Sequence, residues 1–308
     1  MERSLAVVEV QDLQKYYGEI RAVDGLSFTV EPGEIFGMLG PNGAGKSTTV
    51  EILEGIRTMD GGQVRVLGLD PHRETGRLRN AIGIQLQSTS LYPRLNVREQ
   101  LSMFGRLYEQ SRNVEEVIDL VGLRERVSGL AKDLSGGQQQ RLSVGLSLMN
   151  DPELVFLDEP TTGMDPQARR HLWDVIKGMQ EQGKTVMMTT HYMEEAEYLC
   201  DRVAIVDHGK IIALDRPQRL VSENFAESTI TFEPDGEPDL AAMKALPAVT
   251  NVILDDGTVE LFSGDVPGTI GALLDYSEEQ SIQIEDLHVR RATLEDVFLK
   301  LTGRRIRD

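Results

Sequence analysis

Residues 40–48 read Gly40-Pro41-Asn42-Gly43-Ala44-Gly45-Lys46-Ser47-Thr48. The apolar run Ile35-Phe36-Gly37-Met38-Leu39 precedes them, and Thr49-Val50-Glu51-Ile52-Leu53 follows. The order is strand, glycine-rich turn, helix, and the pattern is that of a phosphate-binding loop. Glycines let successive backbone N–H groups turn inward around an anion. The helix that starts near Lys46 adds the positive end of its dipole. In this pattern Lys46 reaches the β- and γ-phosphates, and the Ser47 hydroxyl ligates Mg²⁺. A plain glycine turn would need none of these side chains. Alone, the loop says nucleoside triphosphate, without choosing among kinases, GTPases, motors and transport ATPases.

The rest of the composition narrows the setting. A chain of 308 residues, 40% hydrophobic and 27% charged, is sized for one large or two ordinary globular domains. A net charge of −18 makes nucleic acid an unexpected partner. The single cysteine, Cys200, excludes an internal disulfide and reads as a small half-buried hydrophobe. No apolar run approaches the ~18 residues of a membrane span, and Met1-Glu2-Arg3-Ser4-Leu5 lacks a signal-peptide core. A cytoplasmic protein is expected, with any membrane role requiring a partner.

Short β-branched stretches at 7–10, 22–23 and 26–30 predict N-terminal strands, and Tyr16-Tyr17 lies just upstream of the loop. An aromatic there can stack on a nucleobase or simply pack on a sheet. Strands are predicted at 63–66 and 81–86, the latter ending at Gln87. Residues 96–150 read as mostly helical, with Asn96 as a cap. Within them Leu134-Ser135-Gly136-Gly137-Gln138 opens a helix: a second anion site, or an ordinary cap made by Ser135.

Leu154-Val155-Phe156-Leu157 is a buried parallel strand ending in two carboxylates, Asp158 and Glu159. That end of a strand is where open α/β sheets bind ligands. Asp158 can hold Mg²⁺ through water, and Glu159 can orient or deprotonate an attacking water. Asp165-Pro166 suits the cap and first position of a helix over 166–182. His191 stands just past the strand 185–189, on the same sheet edge as the loop and Asp158, where it can meet a γ-phosphate. Beyond 222 the order strand, helix, two strands, helix, strand, helix predicts a small ferredoxin-like α+β module. That module is acidic except near its end, where Arg290, Arg291, Lys300, Arg304, Arg305 and Arg307 cluster.

With 134–138 lying between the phosphate loop and Asp158-Glu159, the chain resembles an ABC transporter nucleotide-binding subunit. In that resemblance Tyr17 matches the aromatic that stacks on adenine, with Tyr16 as fallback. Residues 40–48 match the Walker A loop, and Gln87 the Q-loop glutamine, although Gln85 competes for the place. Residues 134–138 match the family signature. Residues 154–158 match Walker B, followed by Glu159 as catalytic carboxylate. Asp165 matches the D-loop aspartate and His191 the switch histidine. Met164 stands where leucine is common. Residues 292–303 look like the ending of ABC-2 drug and antibiotic exporter ATPases of the daunorubicin-resistance group.

The resemblance implies an α/β fold: a P-loop NTPase core over 1–222 with N-terminal antiparallel strands and a helical insert at about 88–150, plus a small α+β C-terminal module over 223–308. It implies ATP hydrolysis with Mg²⁺ held by Ser47, Gln87 and Asp158, and chemistry carried by Glu159, His191 and Lys46. It also implies a head-to-tail homodimer, in which Ser135, Gly136, Gly137 and Gln138 of one subunit, beside Asp165, close on the other's ATP. Separate permease subunits would hold the chain at the cytoplasmic face of the membrane. Two other readings compete. A non-transport ABC ATPase of translation or chromosome maintenance would usually bring a second cassette or long coiled coils. A GTPase or small-molecule kinase would leave 134–138 unexplained, and no N-K-x-D motif occurs.

Overall fold

The computed structural model describes residues 6–87, 90–236, 238–255, 257–280 and 282–303. Met1 to Leu5, Ser88 and Thr89 at the start of the predicted insert, and the tail arginines Arg304, Arg305 and Arg307 lie outside the described residues. Two compact units divide the chain, one running to Pro217 and the other beginning at Gln218.

The first unit holds two sheets. Strands β1 (Val8–Tyr17), β2 (Ile20–Val30) and β4 (Gly61–Val66) form an antiparallel sheet in the order β2-β1-β4. The three short strands expected here are thus two long ones. Register shifts at Val10/Leu13, Leu13/Gln14 and Lys15/Tyr16 interrupt the alternation that would have revealed them.

The second sheet runs β5-β6-β7-β3-β8-β9, from β3 (Ile35–Leu39), β5 (Ile82–Gln85), β6 (Leu154–Asp158), β7 (Thr185–Thr190), β8 (Arg202–Asp207) and β9 (Lys210–Asp215). All neighbours are parallel except β8 and β9, which form an antiparallel hairpin. Strands β3, β6 and β7 are buried along their whole length; β3 and residues 154–157 of β6 accordingly read as apolar runs, whereas β7 carries Thr185, Thr189 and Thr190 beside its apolar residues.

Helix α1 (Lys46–Leu53) shares one core with both sheets: its Val50, Ile52 and Leu53 join Val10, Leu26 and Phe28 on one side and Phe36, Phe156 and Met187 on the other. Helix α2 (Thr75–Ala81) precedes β5. Helices α3 (Val97–Gly105), α4 (Val114–Leu120) and α5 (Gly136–Ser147) form the insert. Asn96 caps α3 in a reciprocal box with Glu99. Helix α6 (Pro166–Glu181) follows β6, and α7 (Met193–Leu199) follows β7.

The second unit contains most of α8 (Pro217–Asn224), then β10 (Ser228–Pro234), α9 (Leu240–Lys244), β11 (Val249–Asp255), β12 (Thr258–Ser263), α10 (Val266–Gln280), β13 (Ile284–Arg290) and α11 (Leu294–Thr302). Its sheet order, β11-β12-β10-β13, is antiparallel throughout, the order of a ferredoxin-like module. Ile230, Phe232, Val259 and Leu261 pack there with Met243 of α9 and Leu273 of α10.

Candidate nucleotide site

Parallel pairing places the ends of β3, β5, β6 and β7 on one sheet edge, so the chain segments that leave them converge. From β3 comes the phosphate loop. Gly45, the N-cap of α1, has φ +102°, and a Cβ there would lie 2.2 Å from the Ala22 carbonyl oxygen. A Cβ on Gly40 would lie 2.2 Å from the Val206 carbonyl oxygen. Only glycine fits either position, and the loop is thereby shaped as a cradle of backbone. Lys46 is buried and arches back over this cradle, its Nζ donating to the carbonyls of Gly40 (2.7 Å) and Pro41 (3.1 Å).

Glu159 is the meeting point of the other segments. Its Oε1 lies 3.5 Å from Lys46 Nζ and 3.5 Å from His191 Nδ1. Its Oε2 accepts from Gln87 Nε2 (3.1 Å) and from the Thr162 hydroxyl (3.3 Å). His191 first, and then Lys46, hold its carboxyl down at about 2 against the opposing effect of burial. It is therefore ionised at neutral pH. Burial lowers the Lys46 pKa, and the two neighbouring carboxylates work in the other direction.

Ser47 Oγ donates to Asp158 Oδ1 at 3.1 Å, so a hydroxyl and a carboxylate share one point at the mouth of the loop. Burial raises the Asp158 pKa, and the hydrogen bonds from Thr189 and Ser47 oppose it. Two hard oxygen donors, one a desolvated anion, fit a magnesium ion. Gln87 reaches the same region, whereas Gln85 is buried and donates to the Leu86 carbonyl at 2.6 Å. Tyr17 stands 40% exposed, its ring within 5.6 Å of Lys15 Nζ and 5.5 Å of the Arg57 guanidinium carbon. Tyr16 instead donates its hydroxyl to Gln14 (2.8 Å).

Residues 135–138 gather elsewhere. Ser135 caps α5 by accepting from the Gln138 N–H (3.3 Å), and Gln138 Oε1 accepts from the Ser135 N–H (3.0 Å). The ordinary-cap reading of this stretch is therefore realised in full. Ser135, Gly137 and Gln138 line a shallow recess of about 210 Å³ together with Asp165, Ala168 and His171. Asp165 caps α6, accepting from the N–H groups of Gln167 (3.0 Å) and Ala168 (2.9 Å). The structure thus brings the expected residues together in two groups: loop, Gln87, Asp158, Glu159 and His191 in one, the signature stretch with Asp165 in the other.

Thr189 escaped the sequence reading. It is fully buried, donates to Asp158 Oδ1, and accepts from the Glu159 N–H at 3.0 Å. Glu159 has φ +46°, an uncommon conformation for a non-glycine residue, and this hydrogen bond fastens it there. The available signal was the pair of threonines, Thr189 and Thr190, that ends the strand just before His191. Replacing Thr189 with Val keeps the shape and removes both bonds. Turnover of ATP is expected to fall roughly 10-fold at little cost in KM, as steady-state phosphate release would show.

A phosphate loop beside an acidic strand end, on a parallel sheet, defines a P-loop nucleoside triphosphatase. The family model described as ABC transporter matches residues 23–162. Linearmycin resistance ATP-binding protein LnrL of Bacillus subtilis (strain 168) is 37% identical over 311 residues, covering 98% of this chain and 100% of that protein. Nod factor export ATP-binding protein I of Rhizobium meliloti is 39% identical over 307 residues, covering 98% and 89%. Among solved structures, an ATP-binding subunit of an ABC transporter superposes with TM-score 0.64 at 25% identity, covering 71% of this chain and 93% of that one. A cassette described as a post-hydrolysis dimer with ADP and Pi gives TM-score 0.61 at 24% identity, covering 68% and 98%. The chain belongs to the ABC transporter ATP-binding proteins, a family of ATPases.

Proposed function

We propose that this chain is the ATP-hydrolysing subunit of an exporter, working at the cytoplasmic face of the membrane beneath separate permease subunits. The observation that carries the reading is the convergence on Glu159 of Lys46, Gln87 and His191 beside the Ser47–Asp158 pair. Relatives alike over nearly the whole chain are named for linearmycin resistance and Nod factor export, which favours a drug, antibiotic or lipid-like cargo moving outward. Among the described residues no helix is long and apolar enough to cross a membrane, so the path for cargo is assigned to the permease.

In this reading residues 40–48 wrap the phosphates with backbone N–H groups, and Lys46 turns from the Gly40 and Pro41 carbonyls to the γ-phosphate. Tyr17 stacks on adenine. Ser47, Asp158 and Gln87 would hold Mg²⁺, which supplies charge neutralisation at the β- and γ-phosphate oxygens. Glu159, being ionised, accepts a proton from the attacking water, while His191 steadies the γ-phosphate. Ser135, Gly136, Gly137 and Gln138 of a second copy, together with its Asp165, complete the cage. The capped start of α5 lines its recess with Asp165 and not with the loop group, which suits action on a neighbour's nucleotide. Closure then depends on the γ-phosphate, and hydrolysis releases it.

Affinity capture of the tagged chain from detergent-solubilised membranes, followed by mass spectrometry, tests the transport reading. A multi-span membrane protein is expected in stoichiometric amount. Capture of ribosomal particles in its place would contradict the reading and favour a non-transport ABC ATPase.

A further inference from the structure

Behind the catalytic edge lies a buried carboxylate to which the mechanism gives no part. Glu195, on α7, is fully buried, and Trp173 Nε1 on α6 donates to its Oε1 at 3.0 Å. Burial raises the Glu195 pKa, opposed by the hydroxyls of Thr190 and Thr161, the Trp173 indole and the Arg169 charge. These neighbours come from three different segments. Thr161 is two residues past Glu159, and Thr190 immediately precedes His191. Arg169 and Trp173 belong to α6, the helix capped by Asp165.

Further contacts tie the His191 segment to the same place. The Thr190 hydroxyl accepts from the Tyr192 N–H at 2.9 Å. The Arg169 guanidinium carbon lies 4.8 Å from the centre of the Tyr192 ring, and that ring lies 4.1 Å from the His191 ring. Glu195 Oε2, the Thr161 hydroxyl and Arg169 Nε are buried, and none reaches full hydrogen-bond geometry among the described residues. Trp173 makes the hydrogen bond to Glu195, and the Thr161 and Thr190 hydroxyls, from the two other segments, lie close enough to act on its charge. A buried, hydrogen-bonded polar cluster fixes relative positions in a way that apolar contacts do not.

We propose that Glu195 is a positioning residue that holds the segments bearing Glu159, Asp165 and His191 in register, with Trp173 as its anchor. The inference rests on the roles proposed above for those three residues. It has a built-in reporter, because Trp173 is the chain's single tryptophan. Its emission should change when ATP reorganises the site.

The test uses the full-length chain with Glu195→Ala, Glu195→Gln and Trp173→Phe, and Glu159→Gln as control. Glu195→Ala is expected to lower kcat roughly 10- to 100-fold. ATP affinity should hold, since Lys46 and the loop amides are intact, and the ATP-induced change in Trp173 emission should disappear. Glu195→Gln keeps an acceptor for the indole and should recover most of kcat. Trp173→Phe should lower kcat in the same sense as Glu195→Ala, and it serves if the alanine variant does not fold. Wild-type kcat in Trp173→Phe, or wild-type kcat with an undiminished emission change in folded Glu195→Ala, overturns the inference. So does a loss of kcat accompanied by an equal loss of ATP affinity, which marks a purely structural role. If Glu159→Gln itself turns over normally, the underlying site reading has failed; if only the Glu195 and Trp173 variants are normal, this inference alone has.

Discussion

Replacing Glu159 with Gln is expected to lower ATP turnover roughly 100- to 10,000-fold while ATP binding persists. The amide matches the carboxylate in size, so the φ +46° backbone and the Thr189 hydrogen bond to it are undisturbed. Gln87 and Thr162 still find an acceptor oxygen where they now reach Oε2. What disappears is the proton acceptor. A negative charge beside Asp158, on the edge that must receive phosphates, disappears as well. The same substitution therefore stops chemistry and removes a repulsion against ATP. Phosphate release at saturating MgATP measures the first effect, and a nucleotide titration the second. Turnover at the wild-type rate would remove Glu159 from the mechanism.

The second large effect is expected at Lys46. Lys46→Ala removes the only charged donor in residues 40–48. It also takes from Glu159 one of its two close cationic or donor neighbours at Oε1. Hydrogen bonds to charged groups are worth about 1.5–3 kcal/mol, so ATP affinity should drop by roughly 10- to 150-fold. The Gly40 and Pro41 carbonyls lose their donor too, and the loop loses the arch that spans it. Thermal unfolding gives a direct readout: saturating MgATP should raise the Tm of the wild type and leave that of Lys46→Ala nearly unmoved. An equal rise in both would show that the phosphates are held without the lysine.

These two residues were legible in the sequence because their roles depend on fixed spacing. Lys46 follows the glycines of a loop that must turn in a set way, and Glu159 follows an unbroken apolar strand. The caps at Asn96, Ser135 and Asp165 were legible for the same reason, since the capping side chain and its partners lie within three residues. Thr189 and Glu195 were not. Each acts through residues 20 or more positions away, Thr189 on Asp158 and Glu159, Glu195 on Trp173. No local pattern marks a threonine in a strand or a glutamate in a seven-residue helix as buried and bonded. Helix α2 has no such local mark, because it begins without a side-chain cap. The lengths of β1 and β2 were hidden by irregular register, including Asp12 at φ +47°. Gln85 and Gln87 compete in the sequence, two positions apart; the geometry places Gln87 against Glu159, while Gln85 is buried and donates to the Leu86 carbonyl.

The signature stretch lies with Asp165 and not with the phosphate loop, and the mechanism we propose therefore requires two chains to assemble one nucleotide site. Sedimentation velocity on the Glu159→Gln variant tests this most directly. With saturating MgATP the variant should sediment as a dimer, with ADP it should return to monomer, and adding Ser135→Arg should keep it monomeric in ATP. A Glu159→Gln chain that binds ATP and stays monomeric at every protein concentration would contradict the claim.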